Sequence, residues 1–320
     1  MTCAWSLPAV TSPSSSRQRA HPGATMGGVG TTNGSTEGAA SEPGEARSAD
    51  GSTVGYYRLG QGPPVVFLHG AGQSSANFTA LARDLSDAFT VFVPDRRGRG
   101  RSGPYGDFHG LRTEIEDLSA VLDASGAHNV FGLSSGAVIA IETALVRPDI
   151  TKLALYEPPL SFDGVVHGQW LPRYQRRLKE GKPGGALATV LKGTADRGSL
   201  VHLVPRSLLG AFLDFAIKRT AGRPTPPGSV SLPALIPTVG YDAQTVGDAA
   251  GPLERFSELP CDVLLLGGSR SAHNLTASLE GLGNVLPRAR KVMLRGMGHT
   301  AADNSGRPGR VATELRHFFV

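Results

Sequence analysis

The sequence contains only two cysteines and no apolar run long enough to cross a bilayer. Cys3 stands in a polar stretch and Cys261 opens a predicted strand, so neither a disulfide framework nor a cysteine-ligated zinc cluster is available. The longest apolar stretches, such as residues 263–266, are strand-sized and fall far short of the roughly 20 residues of a membrane span. The N-terminus lacks an early positively charged region ahead of its interrupted apolar residues 4–10, which argues against a signal peptide. We therefore expect a soluble, cytoplasmic protein with no membrane span.

Positive charge, by contrast, is in excess, and one segment carries it. The formal net charge is +5, and residues 163–242 hold eleven basic and five acidic residues, whereas residues 1–50 hold three and four. A nucleic-acid-binding surface would interleave basic residues with stacking aromatics or form a known module, and neither is evident, so no nucleic-acid partner is expected. Solvated helix faces are the simplest explanation of the surplus. An electropositive approach for an anionic substrate is the more specific alternative.

Composition and periodicity divide the chain into three parts. Residues 1–50 are dominated by Ser, Thr, Gly, Pro and Ala, which predicts a disordered N-terminal tail; Met26, inside it, is a second candidate start. Over residues 51–160 and 246–320 short apolar strands alternate with amphipathic helices, which predicts a parallel sheet with helices on both faces. Over residues 161–245 the alternation stops, and helical spacing broken by Gly- and Pro-rich runs predicts an inserted helical cap.

The most informative motif is the run Gly132-Leu133-Ser134-Ser135-Gly136, which lies between an apolar strand and a helical pattern. It matches G-x-S-x-G, the nucleophile elbow, in which two glycines leave room for a strained serine on a tight strand-to-helix turn. An ordinary strand-to-helix loop is the alternative for the pentapeptide alone. The apolar lead-in and the helical spacing that follows favour the elbow, with the Ser134 hydroxyl standing above the sheet edge.

Three further motifs occur in a fixed order around this turn. His69-Gly70 and the loop Asp95-x-Arg97-Gly98-x-Gly100-x-Ser102 precede it, and Gly298-His299 follows it late in the chain. Each comes at the carboxyl end of a predicted strand, where open parallel sheets bind their ligands. In this order the four motifs resemble those of the α/β-hydrolase superfamily, over about residues 51–160 and 246–320. The resemblance implies a mostly parallel eight-stranded sheet with helices on both faces and a helical cap inserted after the sixth strand.

The resemblance also assigns roles to individual residues. Ser134 matches the nucleophile and His299 the general base, because a serine hydroxyl needs an imidazole within hydrogen-bond reach to take its proton. The backbone N–H groups of Ala71 and Ser135 match the oxyanion hole, which stabilises the negative charge that develops on the substrate carbonyl oxygen.

The third member of a catalytic triad is missing from its usual position. Most members of the superfamily carry an aspartate after the seventh strand, but residues 267–273 contain no carboxylate and Ser271 stands about where the aspartate would. Glu157, at the end of the sixth strand, is the best substitute, since some members place their acid there and the order Ser, Glu, His is retained. Asp242, Asp248 or no acid at all remain alternatives, and Glu157 could simply brace the start of the cap.

The function implied is that of a serine hydrolase, which cleaves an ester, thioester or lactone through an acyl-enzyme and needs no metal or nucleotide cofactor. The resemblance argues against epoxide hydrolases and haloalkane dehalogenases, whose elbow nucleophile is aspartate. Carbon–carbon bond hydrolases and cofactor-free perhydrolases share the serine elbow and stay as alternatives. So does a catalytically degraded, ligand-binding member. The expected partner is a small-molecule acyl substrate, and the basic surplus of residues 163–242 makes an anionic or carrier-linked substrate the more specific alternative.

Overall fold

The computed structural model describes residues 41–320 apart from 108, 196–197, 221, 223 and 227. Eight strands lie in this part of the chain: β1 (Glu42–Arg47), β2 (Thr53–Leu59), β3 (Pro64–Leu68), β4 (Thr90–Pro94), β5 (Asn129–Leu133), β6 (Lys152–Tyr156), β7 (Asp262–Gly268) and β8 (Arg290–Leu294). The α-helices are α1 (Thr79–Leu85), α2 (Leu111–Ser125), α3 (Ser135–Val146), α4 (Leu171–Lys179), α5 (Pro183–Thr194), α6 (Arg206–Thr220), α7 (Leu232–Leu235), α8 (Thr238–Asp248), α9 (His273–Val285) and α10 (Pro308–Phe319). Short 3₁₀ helices span Ser75–Phe78, Leu200–His202 and Leu253–Phe256.

All eight strands form one sheet, in the order β1-β2-β4-β3-β5-β6-β7-β8. Strand β2 pairs antiparallel with β1 and β4, and every other pair is parallel. The central strands β3, β5 and β6 are buried on both faces, which explains why their sequences are continuously apolar rather than alternating. The predicted fold class, a mostly parallel eight-stranded sheet with helices, is confirmed.

The sheet separates two apolar cores, and alternate residues of its strands point into each. Val66 and Val130 face the core formed with α2, α3 and α9, whereas Phe67 and Phe131 face the core formed with α1 and α10. The rings of Phe67 and Phe131 meet edge to face with centroids 5.3 Å apart. This two-sided packing fixes the carboxyl ends of the parallel strands, where the loops of the candidate site begin.

The predicted tail boundary at residue 50 is wrong, because Glu42–Arg47 is a strand at the edge of the sheet. Its sequence, EPGEAR, is polar and carries no alternating pattern, so hydrophobic periodicity could not find it. The strand is held mainly by backbone hydrogen bonds to β2. In addition, Ala46 is buried in the core, and Arg58 Nη2 lies 2.5 Å from Glu42 Oε2. The predicted disorder of residues 1–40 lies outside the described residues.

Between β6 and β7 the described residues form five α-helices, α4 to α8, which we call the helical insertion. It has a small apolar centre of its own, made of Tyr174, Ala186, Ile217, Ile236 and Val239, and the Tyr174 hydroxyl donates a hydrogen bond to the carbonyl of Ile236. Helix α8 also packs against α2 and α3 of the core. The break in strand–helix alternation predicted for this segment thus corresponds to helices that follow β6.

Within the described residues, none of the helices combines the length and the apolar character needed to traverse a lipid bilayer.

Candidate active site

The turn between β5 and α3 holds Ser134 in a strained backbone conformation. Its φ and ψ are 55° and −123°, a region that residues with a side chain rarely adopt. The flanking glycines are required by close packing: a Cβ on Gly132 would lie 2.5 Å from Ala137 Cα, and one on Gly136 would lie 2.4 Å from the carbonyl oxygen of Leu68. The sequence motif therefore folds into the tight turn that its spacing predicts.

His299 reaches Ser134 from the loop after β8. Its Nε2 atom lies 3.0 Å from Ser134 Oγ, a hydrogen-bond distance, although 165 residues separate the two along the chain. Gly296 makes the turn out of β8 with a φ of 74°, and the His299 side chain is 18% exposed. An imidazole in this position can accept the hydroxyl proton of the serine.

Glu157 meets the opposite edge of the same imidazole. Its Oε2 atom lies 2.6 Å from His299 Nδ1, and its other oxygen, Oε1, accepts a 2.6 Å hydrogen bond from the backbone N–H of Gly268. The side chain is fully buried, and the residue has a positive φ of 47° directly after β6. Because β6 lies between the strand of Ser134 and the strand of Gly268, the carboxylate is held at the centre of the sheet edge.

The other candidate acids are engaged elsewhere. Asp242 binds two arginines and the N–H of Gly72, and Asp248 accepts the N–H of Leu111 at the start of α2. Ser271, at the position where an aspartate was expected, is completely buried, and its hydroxyl has no hydrogen-bond partner in the described part of the chain. Of the carboxylates weighed for this role, Glu157 is the one that the structure brings to His299.

The two backbone amides expected to form an oxyanion hole border the same cavity as Ser134. Ala71 follows β3 and Ser135 begins α3, and both residues line this cavity together with His299. Neither N–H donates a hydrogen bond to another described residue. First-turn amides of a helix such as that of Ser135 lack an intrahelical acceptor, so such a donor is available to a ligand.

A buried cluster of charges, absent from the sequence predictions, lies directly behind these amides. Arg96 forms a two-pronged ion pair with Glu114, at 2.7 and 3.0 Å, and its Nη1 donates a 2.9 Å hydrogen bond to Ser135 Oγ. The same Nη1 lies 2.8 Å from Asp242 Oδ1, on α8 of the helical insertion. The side chains of Arg96, Glu114 and Asp242 are all 2% exposed or less.

Asp242 joins three parts of the chain through this cluster. It also pairs with Arg99 at 3.0 Å, and its Oδ2 accepts a 3.0 Å hydrogen bond from the N–H of Gly72, next to Ala71. Burial alone would raise the pKa of the Asp242 carboxyl, but the guanidinium groups of Arg99 and Arg96 outweigh that effect and hold it below its usual range. The carboxylate is therefore charged at neutral pH and fixes the loop after β3 to the helical insertion.

Other residues of the loop after β4, Asp95–Ser102, also form buried ion pairs and hydrogen bonds that stabilise this loop. Arg97 pairs with Asp117 at 2.7 Å and with Asp50 at 2.6 Å, and Asp95 accepts the backbone N–H groups of Ser75 and Arg101. Asp95 and Arg97 thus stabilise loops.

The cavity that contains Ser134 and His299 has a volume of about 420 Å³. The helical insertion contributes much of its lining, including Trp170 and Arg173 of the α4 region and Thr189 of α5. Its size falls within the range typical of small-molecule sites. No local motif in the sequence predicts which of these insertion residues face the cavity, because they come from helices whose arrangement is set by tertiary packing.

His167 also lines the cavity and is neutral at physiological pH. Burial, and next the nearby His299, lower the pKa of His167 to about 4. Its two ring nitrogens lie 3.1 Å from Ser278 Oγ and 3.2 Å from Asn274 Nδ2, so both are occupied by the surrounding polar side chains. We assign it a role in packing the cavity wall.

Comparison with known proteins agrees with the fold and the motifs. A family model described as the alpha/beta hydrolase family matches residues 65–314, well over half of the chain, so the protein belongs to this family. A solved structure of an alpha/beta hydrolase from Sphaerobacter thermophilus is 33% identical, with a TM-score of 0.68 over 87% of this chain and all of that one. The chain thus shares both the family's sequence pattern and its fold.

Two curated relatives match shorter parts of the chain. An uncharacterized hydrolase, YraK of Bacillus subtilis, is 29% identical over 135 residues, which cover 41% of this chain and 49% of the relative. A pimeloyl-[acyl-carrier protein] methyl ester esterase of Chromobacterium violaceum is 37% identical over 99 residues, covering 29% of this chain and 36% of the relative. The match therefore spans about half of these relatives' length or less.

Proposed function

We propose that this hydrolase cleaves a carboxylic ester, thioester or lactone through an acyl-enzyme formed on Ser134. The observation that carries the proposal is the continuous hydrogen-bond path from Ser134 Oγ through the His299 ring to Glu157, with contacts of 3.0 and 2.6 Å. The three side chains come from three strand ends; Ser134 and His299 line one cavity, and Glu157 lies buried behind His299. Triads are recognised by such geometry and by roles rather than by sequence position.

In the proposed first step, Ser134 Oγ attacks the carbonyl carbon of the substrate while His299 Nε2 takes the hydroxyl proton. The imidazolium that forms donates its Nδ1–H to Glu157, whose buried carboxylate stabilises the new positive charge and keeps the ring oriented. Collapse of the tetrahedral intermediate breaks the bond to the leaving alcohol, thiol or ring oxygen, which takes the proton from His299. Water then attacks the acyl carbon while His299 takes a proton from it, the bond to Ser134 Oγ breaks, and the serine oxygen takes that proton back as the carboxylic acid leaves.

The negative charge of the tetrahedral intermediate would be stabilised by the N–H groups of Ala71 and Ser135. Two observations support this assignment: both residues border the cavity, and neither N–H donates a hydrogen bond to another described residue. Arg96, which holds the Ser135 hydroxyl, and Asp242, which holds the N–H of Gly72, would keep the two donors in place before substrate binds. In this role Arg96 and Asp242 are positioning residues.

We further propose that residues 161–245 act as a cap over the reaction. The cavity is lined in part by residues of this segment, among them Trp170, Arg173 and Thr189. A cap of this kind would exclude water from the acyl-enzyme and select the substrate.

The direct test is covalent labelling with a fluorophosphonate probe, read by intact-protein mass. The wild-type protein should gain one probe mass, because the activated serine attacks the phosphorus and expels fluoride. Ser134→Ala should gain none. Ser119→Ala is the control, since it removes a hydroxyl that bonds within α2 away from the cavity, and it should still be labelled. A folded wild-type protein that resists the probe would instead favour a ligand-binding member that has lost turnover.

A further inference from the structure

Two arginines line the cavity, and no carboxylate among the described residues neutralises either of them. Arg173, on α4, is partly buried; its Nε atom is buried without a hydrogen-bond partner, and the side chain makes no ion pair with a described residue. Arg206, at the start of α6, is exposed and likewise has no ion pair in the described part of the chain. A buried donor without an acceptor costs free energy, and such groups in folded proteins call for an explanation.

The acidic residues of the region do not supply that acceptor. Asp242 is the carboxylate among the described residues that line the cavity, and Arg96 and Arg99 already occupy it. Glu157 is turned away toward His299 and the amide of Gly268. Among the described residues, the charges of this cavity that have no counter-ion are therefore positive.

The remaining lining suits the carbon skeleton of a small substrate. Trp170, Val166, Pro159 and Leu275 give it apolar surface, whereas Ser134 and His299 mark the reacting end. The guanidinium group presents N–H donors in a planar fork that matches the two oxygens of a carboxylate. A volume of about 420 Å³ accommodates a short acyl chain with one terminal ionised group.

We propose that the cavity binds an ester or lactone that carries a free carboxylate, and that Arg173 is the residue that pairs with this carboxylate. The inference rests on the proposed function for its reacting group, and it adds the chemical class of the substrate. Arg206, exposed at the same cavity, attracts the anion toward the site. In this assignment Arg173 is a substrate-binding, specificity-determining residue.

The test compares two esters of similar length: mono-4-nitrophenyl glutarate, which carries a carboxylate, and 4-nitrophenyl valerate, which does not. After correction for spontaneous hydrolysis, the wild-type protein should show a kcat/KM at least tenfold higher for the anionic ester. Arg173→Gln should reduce this preference by about 10- to 100-fold, the range that a hydrogen bond to a charged group supplies, and change the neutral ester less than threefold. Arg173→Lys should restore part of the preference, because it keeps the charge and loses the fork.

Arg176→Gln is the matched control, since it removes the same charge from an exposed position of the same helix that does not line the cavity. It should leave both esters unchanged. A wild-type ratio near one, or an equal loss on both esters in Arg173→Gln, would overturn the assignment.

A binding measurement separates this proposal from the hydrolytic one. Glutarate should bind the wild-type and Arg176→Gln proteins in a calorimetric titration and bind Arg173→Gln at least tenfold more weakly, whether or not any ester is turned over. Failure of hydrolysis with Arg173-dependent binding intact would refute the proposed function alone. Absence of glutarate binding would refute the carboxylate site, and equally tight, Arg173-dependent binding of inorganic phosphate would refute its assignment to carboxylates.

Discussion

Two groups of arginines lie at the candidate active site and differ in what neutralises them. Arg96, Arg97 and Arg99 follow β4, are almost completely buried, and each pairs with at least one carboxylate at 3.0 Å or less. Arg173 and Arg206 belong to the helical insertion, face the cavity, and pair with no carboxylate of the described chain. The arginines of the first group form ion pairs within the protein, whereas those of the second group are available to pair with a ligand.

The difference also separates the structural role of the arginines after β4 from the ligand-binding role proposed for those of the helical insertion. Paired, buried arginines fix the loops that carry the proposed oxyanion donors, and their geometry needs no substrate. Arg173 and Arg206, which have no ion-pair partner among the described residues, would form one when an anionic ligand binds. Stability and recognition are thus expected to respond separately to substitution, and the following predictions test that separation.

The largest effect on stability is expected from Asp242→Asn. The substitution leaves Arg96 and Arg99 buried without their shared negative charge, and breaking a buried pair in this way costs about 3 to 5 kcal/mol of the free energy of unfolding. Urea unfolding followed by circular dichroism measures the loss. Asp87→Asn, which removes the exposed partner of Arg316, is the control and should leave the unfolding midpoint where it is. If both variants unfold alike, the buried cluster has no special structural role.

A smaller loss of stability is expected on mild acidification. Burial, and next the charges of Arg99 and Arg96, hold the pKa of His69 well below the ordinary 6.5, and the pKa of His167 is lowered to about 4. Between pH 6.5 and about 4 the unfolded chain therefore binds protons that the folded protein does not, so the free energy of unfolding falls as the pH falls, by at most about 1.4 kcal/mol per pH unit for each histidine.

Urea midpoints at pH 7, 5.5 and 4.5 measure this dependence. His167→Gln removes one of the two groups and should flatten the decline between pH 6.5 and 4. A wild-type midpoint that holds constant over this interval would contradict the assignment of both histidines as buried and neutral.

The smallest effect is expected from Arg173→Gln on stability alone. Because this side chain has no partner in the described chain, its removal should change the free energy of unfolding by less than about 0.5 kcal/mol, in contrast to its large effect on the anionic ester. The measurement is again urea unfolding, beside the Asp242→Asn protein. A loss above about 2 kcal/mol would mean that Arg173 belongs with the structural arginines.

The parts of the fold that the sequence predicts are those with a local cause. The elbow is recognisable because steric contacts at Gly132 and Gly136 exclude any other residue, and β3, β5 and β6 are recognisable because strands buried on both faces are continuously apolar. Strand β1 escapes detection, since its polar residues are held by backbone pairing to β2.

In the candidate site, too, the sequence predicts the residues that belong to motifs and misses those placed by tertiary packing. The motif order and the position of Glu157 at a strand end suffice to suggest that Ser134, Glu157 and His299 meet, although their catalytic roles stay predictions. The Asp242 cluster and the orientation of Arg173 could not be predicted, because their contacts join residues as far as 170 positions apart through helices with no local motif. Such contacts depend on how the helical insertion packs on the core.

The central claim is that Glu157 orients His299 for a reaction at Ser134, and it is tested most directly by kcat/KM of Glu157→Gln on 4-nitrophenyl acetate. Glutamine keeps the shape of the side chain but removes the charge that stabilises the imidazolium, so we expect a loss of about 10⁴-fold in a protein that retains its circular dichroism spectrum. Asp248→Asn, which alters the rival acid, should lose less than threefold. A Glu157→Gln rate within tenfold of wild type would contradict the account.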